Sequence, residues 1–197
     1  YTFGNYLKEK FDSKVYKVGI NISGFTCPNI DGTVAKGGCT FCENDSFSAS
    51  TDAVQELKGF HLGLSSKENP YLEKQLLQLE QQFDNISKRQ MREYGAQKFL
   101  VYFQSFTNTY APFETLKALY EKALTFPNVV GLSIGTRSDS ITEETLAYLA
   151  KLSKEKEIWI EFGIQSVYDE TLARINRGHD SANVKEWIQK AKDAGLN

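Results

Sequence analysis

The sequence predicts an α/β fold in which parallel βα units wind into an incomplete barrel. Three observations carry that reading. Four short apolar runs of strand length recur along the chain: residues 15–23 (VYKVGINIS), 98–104 (KFLVYFQ), 129–134 (VVGLSI) and 158–164 (IWIEFGI). Segments with helical apolar spacing separate the later runs, and buried apolar strands that alternate with helices imply a parallel sheet with helices outside. Finally, 197 residues at 41% apolar and 24% charged are enough to bury a real core.

The first run alternates and is rich in β-branched residues, so it reads as a strand. Residues 24–69 show no sustained helical period and hold Gly24, Gly32, Gly37, Gly38, Gly59 and Gly63. A loop of that length inside a compact domain is functional or partly mobile. Asn69-Pro70 reads as a helix start, with Asn as the cap and Pro in the first turn. Leu72, Leu76, Leu79, Phe83 and Ile86 then form one apolar face. Pro112 opens a second helix with Phe113, Leu116, Leu119, Tyr120 and Ala123 inward. Ser140 and Glu143 resemble a capping box ahead of Leu146, Leu149 and Leu152. A short helix is expected over residues 169–175. A longer one is expected over 181–194, with Val184, Trp187, Ile188 and Ala191 inward and Gly195 as its stop. Four βα units are half of an eightfold TIM-like barrel, or two thirds of a six-stranded one. The expectation is a single domain over residues 1–197, carrying four of six units and belonging to a longer barrel protein.

The formal net charge is −2 and the pI about 5.8, so there is no global basic footprint for nucleic acid. A local basic groove stays compatible with that average. No run of about 18 apolar residues is present, and no signal-peptide pattern, so a cytoplasmic location is expected. The three cysteines all lie between positions 27 and 42. An odd number argues against a closed disulfide framework, and clustered thiols in a reducing compartment more often bind metal.

Cys27 is followed by eleven residues and Cys39, then by two residues and Cys42. This loop follows the first strand, at the catalytic face of a parallel barrel. Cysteine thiolates are the usual ligands of iron–sulfur clusters, and three of them leave one iron of a four-iron cluster open. Gly37 and Gly38 let the loop turn back. Two other readings stay open on the residues alone. A structural zinc closes with four ligands, and His61 or His179 is the available fourth, neither at zinc-finger spacing. The cysteines are otherwise buried small hydrophobes without metal.

Cys39-Thr40-Phe41-Cys42 resembles the C-x-aromatic-C end of the radical S-adenosylmethionine (SAM) motif. The eleven-residue first gap departs from the common three and resembles the wide-gap YhcC/YtqA-like bacterial branch, related more distantly to the radical SAM domain of Elongator. Residues 32–42 (GTVAKGGCTFC) are similar to that branch's cysteine loop. Residues 104–112 (QSFTNTYAP) stand where relatives carry a glycine-rich site for the SAM amino group, with Gln104, Ser105 and Phe106 in place of the glycines. Residues 133–139 (SIGTRSD) resemble an Elongator-like IGTRxD signature, and 161–166 (EFGIQS) with 176–179 (NRGH) resemble the fourth-strand signature.

The resemblance implies a [4Fe-4S] cluster on Cys27, Cys39 and Cys42, and SAM as its ligand. It places Gln165 on the SAM ribose and Arg177 on the carboxylate, with Arg137 a second candidate for the latter. Glu161 is a further ribose acceptor, and Phe41 packs on the adenine or shields the cluster. Gln104, Ser105, Asn108 and Thr136 complete the implied set. The implied chemistry is reductive cleavage of SAM to methionine and a 5′-deoxyadenosyl radical, fed by a donor such as flavodoxin or ferredoxin. Modification of a tRNA wobble uridine side chain is the implied use. A porphyrin-type small-molecule substrate and a zinc-stabilised binding module without activity are the alternatives. Each residue also has a plainer reading. Glu161 could pair with a buried Arg, Arg137 with Asp139, Asn108 and Thr109 could shape the turn before Pro112, and His179 could cap a helix.

Overall fold

The computed structural model describes residues 1–42, 57 and 59–196. The elements run α1 (Phe3–Phe11), β1 (Val15–Ile20), α2 (Leu72–Tyr94), β2 (Lys98–Phe103), α3 (Phe113–Leu124) and β3 (Val129–Thr136). A 3-10 turn (Ser138–Ser140), α4 (Glu143–Leu152), β4 (Glu157–Phe162), α5 (Asp169–Arg174) and α6 (Ser181–Asp193) complete them. The strands form one parallel sheet in the order β1-β2-β3-β4. Sequential parallel order with helical crossovers is the expected incomplete βα barrel, an α/β fold.

Alternate strand residues divide between two faces. Val18, Ile20, Phe99, Val101, Phe103, Leu132, Ile134 and Ile158 face the helices and bury against Leu79 and Phe83 of α2, Leu116, Leu119 and Tyr120 of α3, and Leu146 and Leu149 of α4. Lys17, Tyr102, Ser133 and Glu161 alternate with them and meet on the opposite face. Gly131 pairs with Glu157 across β3 and β4. A Cβ there would stand 1.8 Å from the Glu157 carbonyl oxygen, so this register admits no side chain at 131.

The sequence reading assigned no element before residue 15, and α1 is the addition. Thr2 caps it by accepting from the Asn5 amide at 3.2 Å. Phe3 and Tyr6 pack edge-on against Trp159, at centroid distances of 4.8 and 5.9 Å. Tyr6 and Lys10 both donate to the buried Glu157, at 3.0 and 2.5 Å. Two expected starts also shift. Helix α2 begins at Leu72, because Asn69 accepts from the Tyr71 amide at 3.1 Å and so holds the turn before the helix. Thr142 caps α4, accepting from the Thr145 amide at 3.1 Å. The Ser140/Glu143 box does not form: Ser140 lies in the 3-10 turn and donates to Asp139 at 3.2 Å.

Strand β1 is an edge strand, and glutamines of α2 bond its edge and the chain that leaves it. Gln90 donates to the Lys17 carbonyl at 2.9 Å. Gln82 donates to the Asn21 carbonyl at 2.7 Å and accepts from the Asn21 amide at 2.9 Å. Gln78 accepts from the Ser23 amide at 2.9 Å, and Gln75 donates to the Ser23 carbonyl at 2.7 Å. Covering an edge satisfies backbone groups that would otherwise recruit another strand. It also aims the chain towards Cys27.

Of the long loop expected over 24–69, residues 43–56 and 58 lie outside the described residues. The described part is tied to the segment between α5 and α6. The Thr40 amide donates to the Ile175 carbonyl at 3.1 Å, Asn176 donates to the Gly38 carbonyl at 2.8 Å, and Asn29 donates to the Arg177 carbonyl at 2.9 Å. Among the described residues no helix is long and apolar enough to cross a membrane.

Candidate functional site

The carboxyl ends of the four strands converge on one cavity of about 420 Å³. The loop after β1 contributes Cys27, Cys39, Phe41 and Cys42; the end of β2 contributes Tyr102, Gln104, Phe106 and Thr107. Gly135, Thr136 and Arg137 come from the end of β3 and the residue after it, Glu161, Phe162, Gly163 and Gln165 from the end of β4 and the turn that follows, and Arg177 from beyond α5. Ligand sites of parallel α/β folds lie at this face, where loops leave the strands. Phe106 and Gln165, at φ of 62° and 67°, are non-glycine residues in the left-handed region. Such strain persists where surrounding structure holds it, commonly at functional sites.

None of the three cysteines is in a disulfide. Cys27 is half-buried, and its sulfur accepts from Arg137 Nη1 at 3.3 Å. Cys39 is buried and accepts from Arg177 Nη1 at 3.6 Å and from Asn29 Nδ2 at 3.5 Å. Cys42 is exposed on the rim. Among the described residues, no group of three or more His, Cys, Asp or Glu stands together as a single-ion site. His61 is exposed. His179 is buried and accepts through Nε2 from Arg177 Nε at 2.9 Å, and Asp180 rather than His179 caps α6.

The two arginines are held on several sides. Arg137 forks onto Asp139, with Nε and Nη2 at 2.8 and 2.5 Å from its carboxylate oxygens, and Nη2 also reaches the Arg177 carbonyl at 2.7 Å. Burial works against both charges, but the pairing outweighs it: Arg137 is held above its usual range and Asp139 below the usual carboxylate range. Arg177 donates from Nη2 to the Gly163 carbonyl, from Nε to His179 and from Nη1 to Cys39. Burial pushes the His179 pKa down, favouring the neutral ring.

Glu161 pairs with Lys17 of β1 rather than with an arginine, and Ser133 donates to the same oxygen. Burial opposes its ionisation, yet these donors hold it below the usual carboxylate range. Tyr102 is pushed up to about 12 by burial first and by the Glu161 charge second. A fixed, ionised acceptor therefore faces the cavity with Lys17 behind it.

Seven of the implied SAM residues line the cavity: Phe41, Gln104, Thr136, Arg137, Glu161, Gln165 and Arg177. Ser105 and Asn108 are buried outside its lining. Asn108 ties β2 to β3, donating from Nδ2 to the Gly135 carbonyl at 2.9 Å and accepting from the Tyr120 hydroxyl at 2.6 Å. The Thr136 hydroxyl stands 2.6 Å from that of Thr109, which donates to the Ser140 carbonyl. Sequence reasoning missed Lys17, Tyr102, Thr107 and Asn29. Lys17 had a visible signal, a charge in an apolar strand. Asn29 had none, because its partners lie 10 and about 147 positions away.

Comparison with known proteins gives the same picture. A family model described as the Radical SAM superfamily matches residues 31–197, so it takes in Cys39 and Cys42 and begins just after Cys27. The protein YtqA of Bacillus subtilis is 37% identical over 196 residues, covering 100% of this chain and 54% of that protein. YhcC of Escherichia coli K12 is 35% identical over 195 residues, covering 98% of this chain and 55% of that protein. A tRNA uridine(34) acetyltransferase of Methanocaldococcus infernus is 36% identical over 67 residues, 34% of this chain and 12% of that protein. The chain thus spans about half the length of YtqA and YhcC. With four parallel strand ends around one cysteine-lined cavity, and the family match running from the cysteine loop to the last helix, the chain belongs to the radical SAM superfamily.

Proposed function

We propose that Cys27, Cys39 and Cys42 hold a [4Fe-4S] cluster and that the adjoining cavity receives SAM. The observation that carries this reading is that every cysteine of the chain lines one cavity, beside two buried guanidiniums. The residues present fit both groups. None of the three cysteines is in a disulfide, two of them already accept hydrogen bonds, and the cavity volume lies within the range of small-ligand sites. All three cysteines line this cavity, and three thiolates leave one iron of a four-iron cluster open, whereas a structural zinc takes four ligands. When bound, the reduced cluster and SAM supply reductive cleavage of the sulfonium carbon–sulfur bond, to methionine and a 5′-deoxyadenosyl radical.

The chain's own residues bind and orient. Gln165, with both an acceptor and a donor, and the ionised Glu161 serve the ribose hydroxyls. Arg177 keeps N–H hydrogens on Nη1 and Nη2 for the carboxylate, a charge-assisted partner. Phe41 and Phe106 supply apolar cover that keeps water from the adenine side. The protein positions the groups and the cofactors carry the hard chemistry. Anaerobic reconstitution with iron and sulfide tests the reading: a brown protein whose absorbance is lost in Cys42→Ala supports it. A colourless protein that binds one zinc overturns it.

For the substrate we propose a tRNA wobble uridine, in a cytoplasmic setting with a flavodoxin or ferredoxin as electron donor. Its support is the resemblance of the strand-end signatures together with the partial similarity to a tRNA uridine(34) acetyltransferase. Nucleoside analysis of tRNA from cells with and without the gene decides it. Identical tRNA in both ends this reading, and binding of a porphyrin precursor by the anaerobic holoprotein would replace it.

A further inference from the structure

We infer that Arg137 and Arg177 set the reduction potential of the cluster through the cysteine sulfurs, with Asp139 as the counterweight to Arg137. The inference rests on the proposed cluster and deepens it. Arg137 Nη1 lies 3.3 Å from Cys27 Sγ and Arg177 Nη1 3.6 Å from Cys39 Sγ, while Asn29 gives Cys39 a second donor at 3.5 Å. Both arginines are nearly inaccessible, at 3% and 6% exposure, so their charges are little screened by water.

An added electron makes the cluster more negative. Fixed cations and N–H donors at the sulfurs therefore stabilise the reduced form more than the oxidised one, and raise the potential. The two guanidiniums differ in what stands behind them. Asp139 forks onto Arg137 and cancels most of its charge. Behind Arg177 stands His179, whose Nε2 accepts a hydrogen bond and whose ring is therefore neutral. Arg177 thus acts on Cys39 with its full charge, and Arg137 acts on Cys27 chiefly as a hydrogen-bond donor. In setting the potential both act as positioning residues, through the sulfurs, beside the contact with the SAM carboxylate proposed for Arg177.

The signs of the effects separate this role from a structural one. Arg177→Gln removes a cation and should move the potential negative by tenfold or more in the reduction equilibrium, 59 mV for one electron. Arg177→Lys restores the charge without the planar fork and should recover part of the shift. Asp139→Asn frees the charge of Arg137 and should move the potential the other way, to more positive values.

The experiment is an anaerobic redox titration, read by visible absorbance and electron paramagnetic resonance, of reconstituted wild type and the three variants without SAM. Shifts of opposite sign in Arg177→Gln and Asp139→Asn support the inference. Unchanged potentials at equal cluster content, or shifts of the same sign, overturn it. Should Arg177→Gln fail to hold a cluster, Asp139→Asn alone still decides by the direction of its shift. A wild type that assembles no cluster overturns the cluster reading itself, and this inference with it.

Discussion

Gly178 stands where the segment between α5 and α6 meets the cysteine loop. Its φ is +86°, and a Cβ there would lie 2.6 Å from Asn29 Oδ1 and from Val34. Asn29 in turn donates to Cys39 and to the Arg177 carbonyl. Gly178→Ala is expected to cost roughly 2–4 kcal/mol, from left-handed backbone and overpacking together. It should also loosen the loop, so urea unfolding and the alkylation rate of Cys39 by iodoacetamide would both change. Normal stability with a normal alkylation rate would show that the loop is anchored elsewhere. At Gly131 the collision is with backbone, the Glu157 carbonyl, which cannot rotate away. Gly131→Ala should cost at least about 3 kcal/mol, seen as a lowered urea midpoint or as insoluble protein.

Among the elements, α2 combines two tasks that its sequence shows unequally. Its apolar residues, Leu79 and Phe83 above all, read directly as a core face and are buried. Gln75, Gln78 and Gln82 are buried too, at 0%, 6% and 5% exposure, although polar residues on a helix read as its solvated side. They bond the backbone of Asn21 and Ser23, in the chain leaving β1, whose position beside α2 no local pattern announces. Gln82→Leu would remove the amide that bonds both backbone groups of Asn21. Each unsatisfied buried group costs about 1–3 kcal/mol, so for two groups a loss of roughly 2–6 kcal/mol is expected by urea denaturation. A change below about 0.5 kcal/mol would mean that water replaces the amide. Helix α1 was missed for a related reason. Its short apolar side acquires meaning only against Trp159, on a strand about 150 positions later.

For the molecule as a whole, the three groups with lowered pKa values beside the cavity, His179, Asp139 and Glu161, push stability in one direction with pH. Burial lowers the pKa of His179. In Asp139 and Glu161 burial acts the other way, but Arg137 in one case and Lys17 with Ser133 in the other outweigh it, so both are lowered. A group with a lowered native pKa takes up its proton in the unfolded chain first, so its stabilising share is present above the unfolded pKa and is lost as pH falls. The unfolded values are about 6.5 for His and about 4 for the carboxylates. The melting temperature of the apoprotein should therefore begin to fall below about pH 6.5 and fall more steeply below about pH 4. His179→Gln should remove the first decline and leave the second. A melting temperature flat down to pH 5 in the wild type would contradict the buried, neutral histidine.

The sequence by itself determined the alternation of strands and helices, because the strand face that packs on the helices must be apolar and so announces itself in short apolar runs. It also determined the chemistry on offer: three cysteines in one loop, and a guanidinium, carboxylate or amide after each later strand. Only the tertiary structure decided which of these groups meet. The contacts of Cys27 with Arg137, of Cys39 with Arg177 and of Lys17 with Glu161 join positions 110, 138 and 144 apart. Such contacts arise from the parallel register, which carries the ends of distant strands to one rim, and residue spacing along the chain holds no trace of that register.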